Sequence, residues 1–249
     1  MVIQIFDNEK QVAQAGAALI ATQLLDVPES VLGFATGSTP LGIYSELTRL
    51  YEEGVISFAT ARTFNLDEYY GLAREHEQSY FRFMHENLFN HVNLKPENIH
   101  LPNGEAEDAD EECRLYEDAI REAGGVDLQL LGIGHNGHIG FNEPGSFFPK
   151  ATHKVRLTDD TIHMNARFFA SEEEVPREAL SMGIGTIMDA EKILVVATGA
   201  NKADAVYEMV AGQIDPQCPA SILQVHPRVT LLLDREAAAR LDEATELFG

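Results

Sequence analysis

Residues 126–144 read Val126-Asp127-Leu128-Gln129-Leu130-Leu131-Gly132-Ile133-Gly134-His135-Asn136-Gly137-His138-Ile139-Gly140-Phe141-Asn142-Glu143-Pro144. The stretch Val126–Ile133 is an apolar run of strand length, the sort that is buried on both faces of a parallel sheet. Its character then changes at once. Four glycines in nine residues force a tight, irregular backbone, and two histidines, two asparagines and a glutamate sit within it or just beyond. Ligands of open α/β sheets bind at the carboxyl ends of the strands. The junction therefore predicts a buried parallel strand and a site at its end.

Outward from this point the chain alternates short apolar runs with amphipathic stretches. Val2–Phe6, Val31–Ala35, Arg62–Leu66, Lys192–Thr198 and Arg228–Leu233 read as strands. Asn8–Leu25, Pro40–Glu53, Gln78–His91, Asp108–Ala123, Lys202–Ala211 and Arg235–Leu247 read as helices. The fold class is α/β, with a single doubly wound, mostly parallel, Rossmann-like sheet. Pro144 to Val175 breaks the rhythm with Phe147-Phe148-Pro149 and then polar residues, and reads as a flap over the strand ends. With no repeat or linker, residues 1–249 are expected to form one domain, with a lid at about 144–175.

Composition limits the partners. The 249 residues carry 40 acids against 18 Lys and Arg, a formal charge of −22. Such a field repels phosphodiester backbones, so no nucleic-acid partner is expected. A small phosphate would need a local pocket of cations or backbone N–H groups. No apolar run reaches about 18 residues and the N-terminus has no signal-peptide pattern, so neither a membrane partner nor export is expected. Cys113 and Cys218 read as reduced thiols, which fits a cytoplasmic protein.

Two further segments fall at strand ends. In Gly33-Phe34-Ala35-Thr36-Gly37-Ser38-Thr39-Pro40, hydroxyls and a helix start offer donors to an anion. The loop lacks the GKS/T ending of a nucleotide-binding P-loop, and an ordinary capped helix start remains the competing reading. Thr63-Phe64-Asn65-Leu66-Asp67-Glu68-Tyr69-Tyr70 sets paired acids just past a buried strand. A carboxylate there can serve as a base toward carbon once its environment tunes it, or can simply cap a helix. In the glycine-rich loop, a histidine held by polar neighbours suits acid–base work near neutral pH. His135, His138 and Glu143 match no zinc spacing, so no metal is expected. The stripe Tyr80, Phe81, Met84, Leu88 reads as core, and His135, His163, Asp159 and Asp160 as loop or cap residues.

Taken together, ATGSTPLGIY, TFNLDEYYGL, SYFRFMHENLF, LGIGHNGHIGFNEPGS and HMNARFF closely resemble the glucosamine-6-phosphate deaminase family, over essentially the whole chain. The resemblance implies a cofactor-free isomerase/hydrolase of amino-sugar catabolism that turns glucosamine 6-phosphate into fructose 6-phosphate and ammonia. It implies that His138 shuttles a proton between ring oxygen and anomeric hydroxyl, with Asn136 and Glu143 as its partners. Asp67 is the implied base that moves the C2 proton to C1, with Glu68 and Tyr69 as its supports. Thr36, Gly37, Ser38, Thr39, Arg167 and Lys202 are the implied phosphate ligands. Asn136 departs from members with aspartate there; it cannot hold a negative charge beside His138, which bears on the pH profile.

The nearest rival is a 6-phosphogluconolactonase, whose members generally lack the FNEP run found at 141–144. A sugar-phosphate sensor would be expected to carry a DNA-binding helix-turn-helix, for which a strand beginning at Val2 leaves no room. Longer family members are hexamers activated by N-acetylglucosamine 6-phosphate. The displaced basic residues of Thr152-His153-Lys154-Val155-Arg156 and the short C-terminus favour an unregulated form, and monomer against homo-oligomer stays open.

Overall fold

The computed structural model describes residues 1–241. In chain order its strands are β1 (Val2–Phe6), β2 (Val31–Phe34), β3 (Arg62–Asn65), β4 (Asp67–Tyr70), β5 (Ile99–His100), β6 (Leu128–Gly132), β7 (His153–Arg156), β8 (Glu178–Ser181), β9 (Lys192–Ala197) and β10 (Val229–Asp234). The helices are α1 (Glu9–Asp26), α2 (Leu41–Glu52), α3 (Tyr80–Asn87), α4 (Ala109–Glu122), α5 (Asp159–Asn165), α6 (Ile184–Met188) and α7 (Ala203–Ala211).

Seven strands form one sheet in the order β1-β10-β9-β6-β2-β3-β5, and every pairing in it is parallel. From β2 the chain first moves outward to β3 and β5. It then returns to the other side of β2 with β6, β9 and β10. The strand order thus reverses between β2 and β6, where a doubly wound sheet opens a crevice. The alternation along β6 explains why its leucines are buried on both faces, with Gln129 as the one buried polar residue of the strand. Leu128 and Leu130 pack with Leu32, Phe34 and residues of α1 and α2 on one face. Leu131 packs with Phe64, Val195 and residues of α4, α6 and α7 on the other. Each such fully buried leucine contributes roughly 1.5–3 kcal/mol of transfer free energy.

The structure departs from the sequence reading where the chain leaves this sheet. After β3, the single residue Leu66 carries the chain into β4, which belongs to a separate antiparallel sheet of order β4-β8-β7. Leu66 is held from both sides: its N–H donates to Phe34 O at 2.9 Å, and its carbonyl accepts from Met182 N at 2.7 Å. The stretch expected to be a flap supplies β7 to the second sheet, and only its later part, from Asp160 to Phe169, lines the cavity described below.

Other differences are local. Leu88 breaks the expected Gln78–His91 helix with φ −145° and ψ −57°, leaving Phe89–His91 as a separate 3-10 turn. The side chain of Asn87 donates to Phe83 O, a competitor of the helical ladder at that point. Of the predicted Arg235–Leu247 helix, residues 235–240 form turns and those from 242 on lie outside the described residues. Cys113 and Cys218 are free thiols. No helix among the described residues is long and apolar enough to cross a membrane.

Candidate active site

The loops after β2 and β6, the start of β4, and α5 with the turn that follows it enclose a cavity of about 500 Å3. Thr36, Gly37, Ser38, Thr39, Asp67, His138, Arg167 and Lys202 all line it. Asn136 and Glu143 do not line it and reach it through His138.

The glycine-rich loop places His138. Gly137, at φ +84°, turns the chain so that Gly134 N donates to His138 O at 2.8 Å and Gly137 N to Gly134 O at 3.0 Å. A Cβ on Gly134 would fall 2.3 Å from the His138 ring, so only glycine lets the imidazole lie against this backbone. Asn136 Nδ2 donates to Glu143 Oε2 at 2.9 Å, which fixes the amide, because a carboxylate can only accept. Asn136 Oδ1 then faces His138 Nδ1 at 2.7 Å. A carbonyl oxygen also only accepts, so Nδ1 must carry a hydrogen and a neutral imidazole keeps its lone pair on Nε2. The network thereby assigns the tautomer.

Glu143 is 7% exposed and lies 3.5 Å from His138 Nδ1. Burial pushes its carboxyl up, but the hydrogen bond and charge of His138, with donors on Thr161 and Asn136, outweigh burial and hold it at about 2. It is therefore a fixed anion behind the neutral Asn136.

Asp67 has the opposite surroundings. It is 6% exposed at the first position of β4, paired in register with Ser181. Among the described residues no donor satisfies its carboxylate. Burial, with the charge of Glu68 next to it, pushes its carboxyl up to about 8. Of two neighbouring acids only this one faces the cavity. Glu68 accepts from the backbone N–H groups of Tyr69, Tyr80 and Phe81 at 2.8–2.9 Å, and so holds the start of α3. This cap is a contact the sequence reading did not anticipate, and it comes in addition to the effect of the Glu68 charge on Asp67.

Two cations, Arg167 and Lys202, line the same cavity. Burial, with Arg167 nearby, lowers the Lys202 ammonium below its ordinary value. Among the described residues neither cation forms a salt bridge with a carboxylate. Two like charges held together in this way fit a multiply charged anion. The Thr36–Thr39 loop leads into α2, whose N-cap Pro40 offers no side-chain acceptor; Leu41 N donates to Ser38 O at 3.4 Å, and the helix N-terminus faces the same anion. A second cavity, about 450 Å3, lies behind the glycine-rich loop. Its lining includes Asp204, Glu208 and Asp215 and, among the described residues, no lysine or arginine, a surround that repels a phosphate.

Sequence reasoning missed Thr161 and Tyr80 as members of the site. Thr161, in the first turn of α5, donates to Glu143 Oε1. Tyr80 lines the cavity with its ring stacked on Phe141, while Met84 and Leu88 of the same stripe are fully buried. Asp160, expected to be a cap, also pairs with His135 at 3.1 Å.

Comparison with known proteins follows the same lines. The sequence profile described as "Glucosamine-6-phosphate isomerases/6-phosphogluconolactonase" matches residues 7–232. A glucosamine-6-phosphate deaminase of Alkaliphilus oremlandii (strain OhILAs) is 54% identical over 97% of this chain and 100% of its own length. The solved structure of a monomeric glucosamine-6-phosphate deaminase superposes with a TM-score of 0.94 at 44% identity, covering 96% of this chain and 99% of that one. A 6-phosphogluconolactonase from Trypanosoma brucei covers 96% of this chain and 98% of its own, at 20% identity and a TM-score of 0.71, and shares the fold alone.

Proposed function

The chain belongs to the glucosamine-6-phosphate isomerase/6-phosphogluconolactonase family, and we propose from that premise that it converts glucosamine 6-phosphate and water into fructose 6-phosphate and ammonia. The observation that carries the assignment is the pairing, in one cavity, of a bare buried carboxyl at Asp67 with a tautomer-fixed imidazole at His138.

In this reading the phosphate lies between the Thr36–Thr39 loop, Arg167 and Lys202. His138 takes the anomeric hydroxyl proton on Nε2 and returns it to the ring oxygen, opening the ring. Asp67, ionised, removes the proton from C2. The electron pair forms the C1–C2 double bond of an enolamine while O1 takes a proton from the substrate's C2 ammonium, and the proton held by Asp67 returns at C1 to give the protonated ketose imine. Water adds to C2 of that imine and ammonia leaves. No metal or cofactor is needed. Each positioned proton transfer contributes on the order of 10²–10⁴-fold. Asn136 and Glu143 act through His138. The span 159–169 serves as a lid on a single domain, since it brings Arg167 over the cavity. A charged sugar phosphate does not cross a bilayer unaided, which supports a cytoplasmic enzyme.

The test compares two substrates. Purified protein is expected to release ammonia from glucosamine 6-phosphate and to leave 6-phosphogluconolactone to its spontaneous hydrolysis. Accelerated lactone hydrolysis without ammonia release would move the chain to the other branch of its family.

Two outcomes follow for binding and control. Lys202→Ala is expected to raise KM roughly 10–100-fold while kcat changes less than about threefold, because a phosphate contact is made equally in ground and transition states. A drop confined to kcat would place Lys202 in the chemistry. A monomeric, unregulated enzyme gives a hyperbolic rate curve that N-acetylglucosamine 6-phosphate leaves unchanged. Sigmoidal kinetics relieved by that sugar would contradict this.

A further inference from the structure

Helix α5 carries a residue whose contacts go beyond packing. Thr161 is buried, and its hydroxyl accepts from Thr158 Oγ1 at 3.1 Å. A hydroxyl has one proton to give. Thr161 gives it to Glu143 Oε1, 18 residues back along the chain, and not to a carbonyl of its own helix. The other oxygen of Glu143 holds the Asn136 amide, and that amide holds His138 Nδ1. An unbroken line of side chains therefore runs from the start of α5 to the imidazole.

We propose that Thr161 is a positioning residue for the deamination reaction, fixing His138 through Glu143 and Asn136 so that the histidine is aligned only when α5 is seated. The role assigned to His138 rests on the function proposed above. Position in the chain strengthens the inference. The 3-10 turn that carries Arg167 follows α5 without an intervening residue. A phosphate drawn to Arg167 thus pulls on the same short element that seats Thr161. The neighbouring Asp160–His135 pair also joins α5 to the glycine-rich loop, but it is exposed and of little weight. The Thr161–Glu143 bond is shielded and charge-assisted.

The experiment uses Thr161→Val, which removes the hydroxyl and keeps the shape, and Thr161→Ser, which keeps the hydroxyl. Thr161→Ala replaces the valine variant if that one does not fold. The variant without a hydroxyl is expected to lose about 10–100-fold in kcat with KM within about threefold of the parent. The serine variant is expected to stay within about threefold on both constants. In ligand-free protein the 15N resonances of the His138 ring should move in the valine variant and stay in place in the serine variant. Equal losses in the two variants would reduce Thr161 to packing and overturn the proposal, as would a valine variant within twofold of the parent kcat or unmoved ring resonances. A parent that releases no ammonia would count against the proposed function instead, and the ring resonances would then decide the role of Thr161 alone.

Discussion

Asp67→Asn is expected to lower kcat by at least about three orders of magnitude and, at the same time, to make the fold more resistant to alkali. The first effect follows from the chemistry. An amide of the same shape cannot accept the C2 proton, and a positioned base contributes up to about 10⁴-fold. KM should change little, because the proposed phosphate ligands do not include Asp67.

The second effect follows from burial. The carboxyl sits at about 8 in the folded chain, against about 3.9 for an unfolded aspartate. Between those values the folded state keeps a proton that the unfolded state has lost, so stability falls as pH rises from about 4 to about 8. Asparagine has no such proton. The melting temperature of Asp67→Asn relative to the parent is therefore expected to increase by roughly 5–10 °C between pH 4 and pH 9. A parallel pair of melting curves across that range would mean that Asp67 is not held protonated by its surroundings. The same carboxyl sets the pH dependence of the rate, because only the ionised form is a base: kcat/KM should climb with pH toward about 8.

His138→Gln comes next in size, at about 10²–10³-fold in kcat. Glutamine can still donate to Asn136 Oδ1, but it has no basic nitrogen to take the place of Nε2. The loss should fall on ring opening. A reduced, open-chain analogue of the substrate should then bind the variant within about threefold of the parent Kd. Rates within tenfold of the parent would remove His138 from the chemistry. Weaker binding of the open-chain analogue would make it a binding residue.

The architecture was legible in the sequence where one side-chain period decides it. Leu128, Leu130 and Leu131 had to be apolar because both faces of β6 are covered, and the abrupt glycine-rich continuation marked the end of the strand. Arg167, on the turn after α5, and Lys202, on the turn after β9, line one cavity although they lie on separate elements. The second sheet was not legible. β4 begins one residue after β3 ends, and no change of periodicity marks a chain that leaves one sheet for another. The capping role of Glu68 was hidden, since the backbone N–H groups it accepts from lie in α3, 12 and 13 residues on, and in the residue next to it. Thr161 was not singled out, because nothing local says that its hydroxyl turns to Glu143. What the sequence conceals at this site are contacts between elements, and those contacts give each acid its separate character.

The most direct test follows C2-deuterated glucosamine 6-phosphate through the reaction in ordinary water with EDTA present, measuring ammonia, fructose 6-phosphate and deuterium at C1 of the product. The parent should release ammonia and fructose 6-phosphate in equal amounts, more slowly than from unlabelled substrate where proton transfer limits the rate, and carry part of the label to C1. Asp67→Asn should do neither. Ammonia release at an undiminished rate by Asp67→Asn, or its loss from the parent on adding EDTA, would contradict a metal-free proton transfer through Asp67.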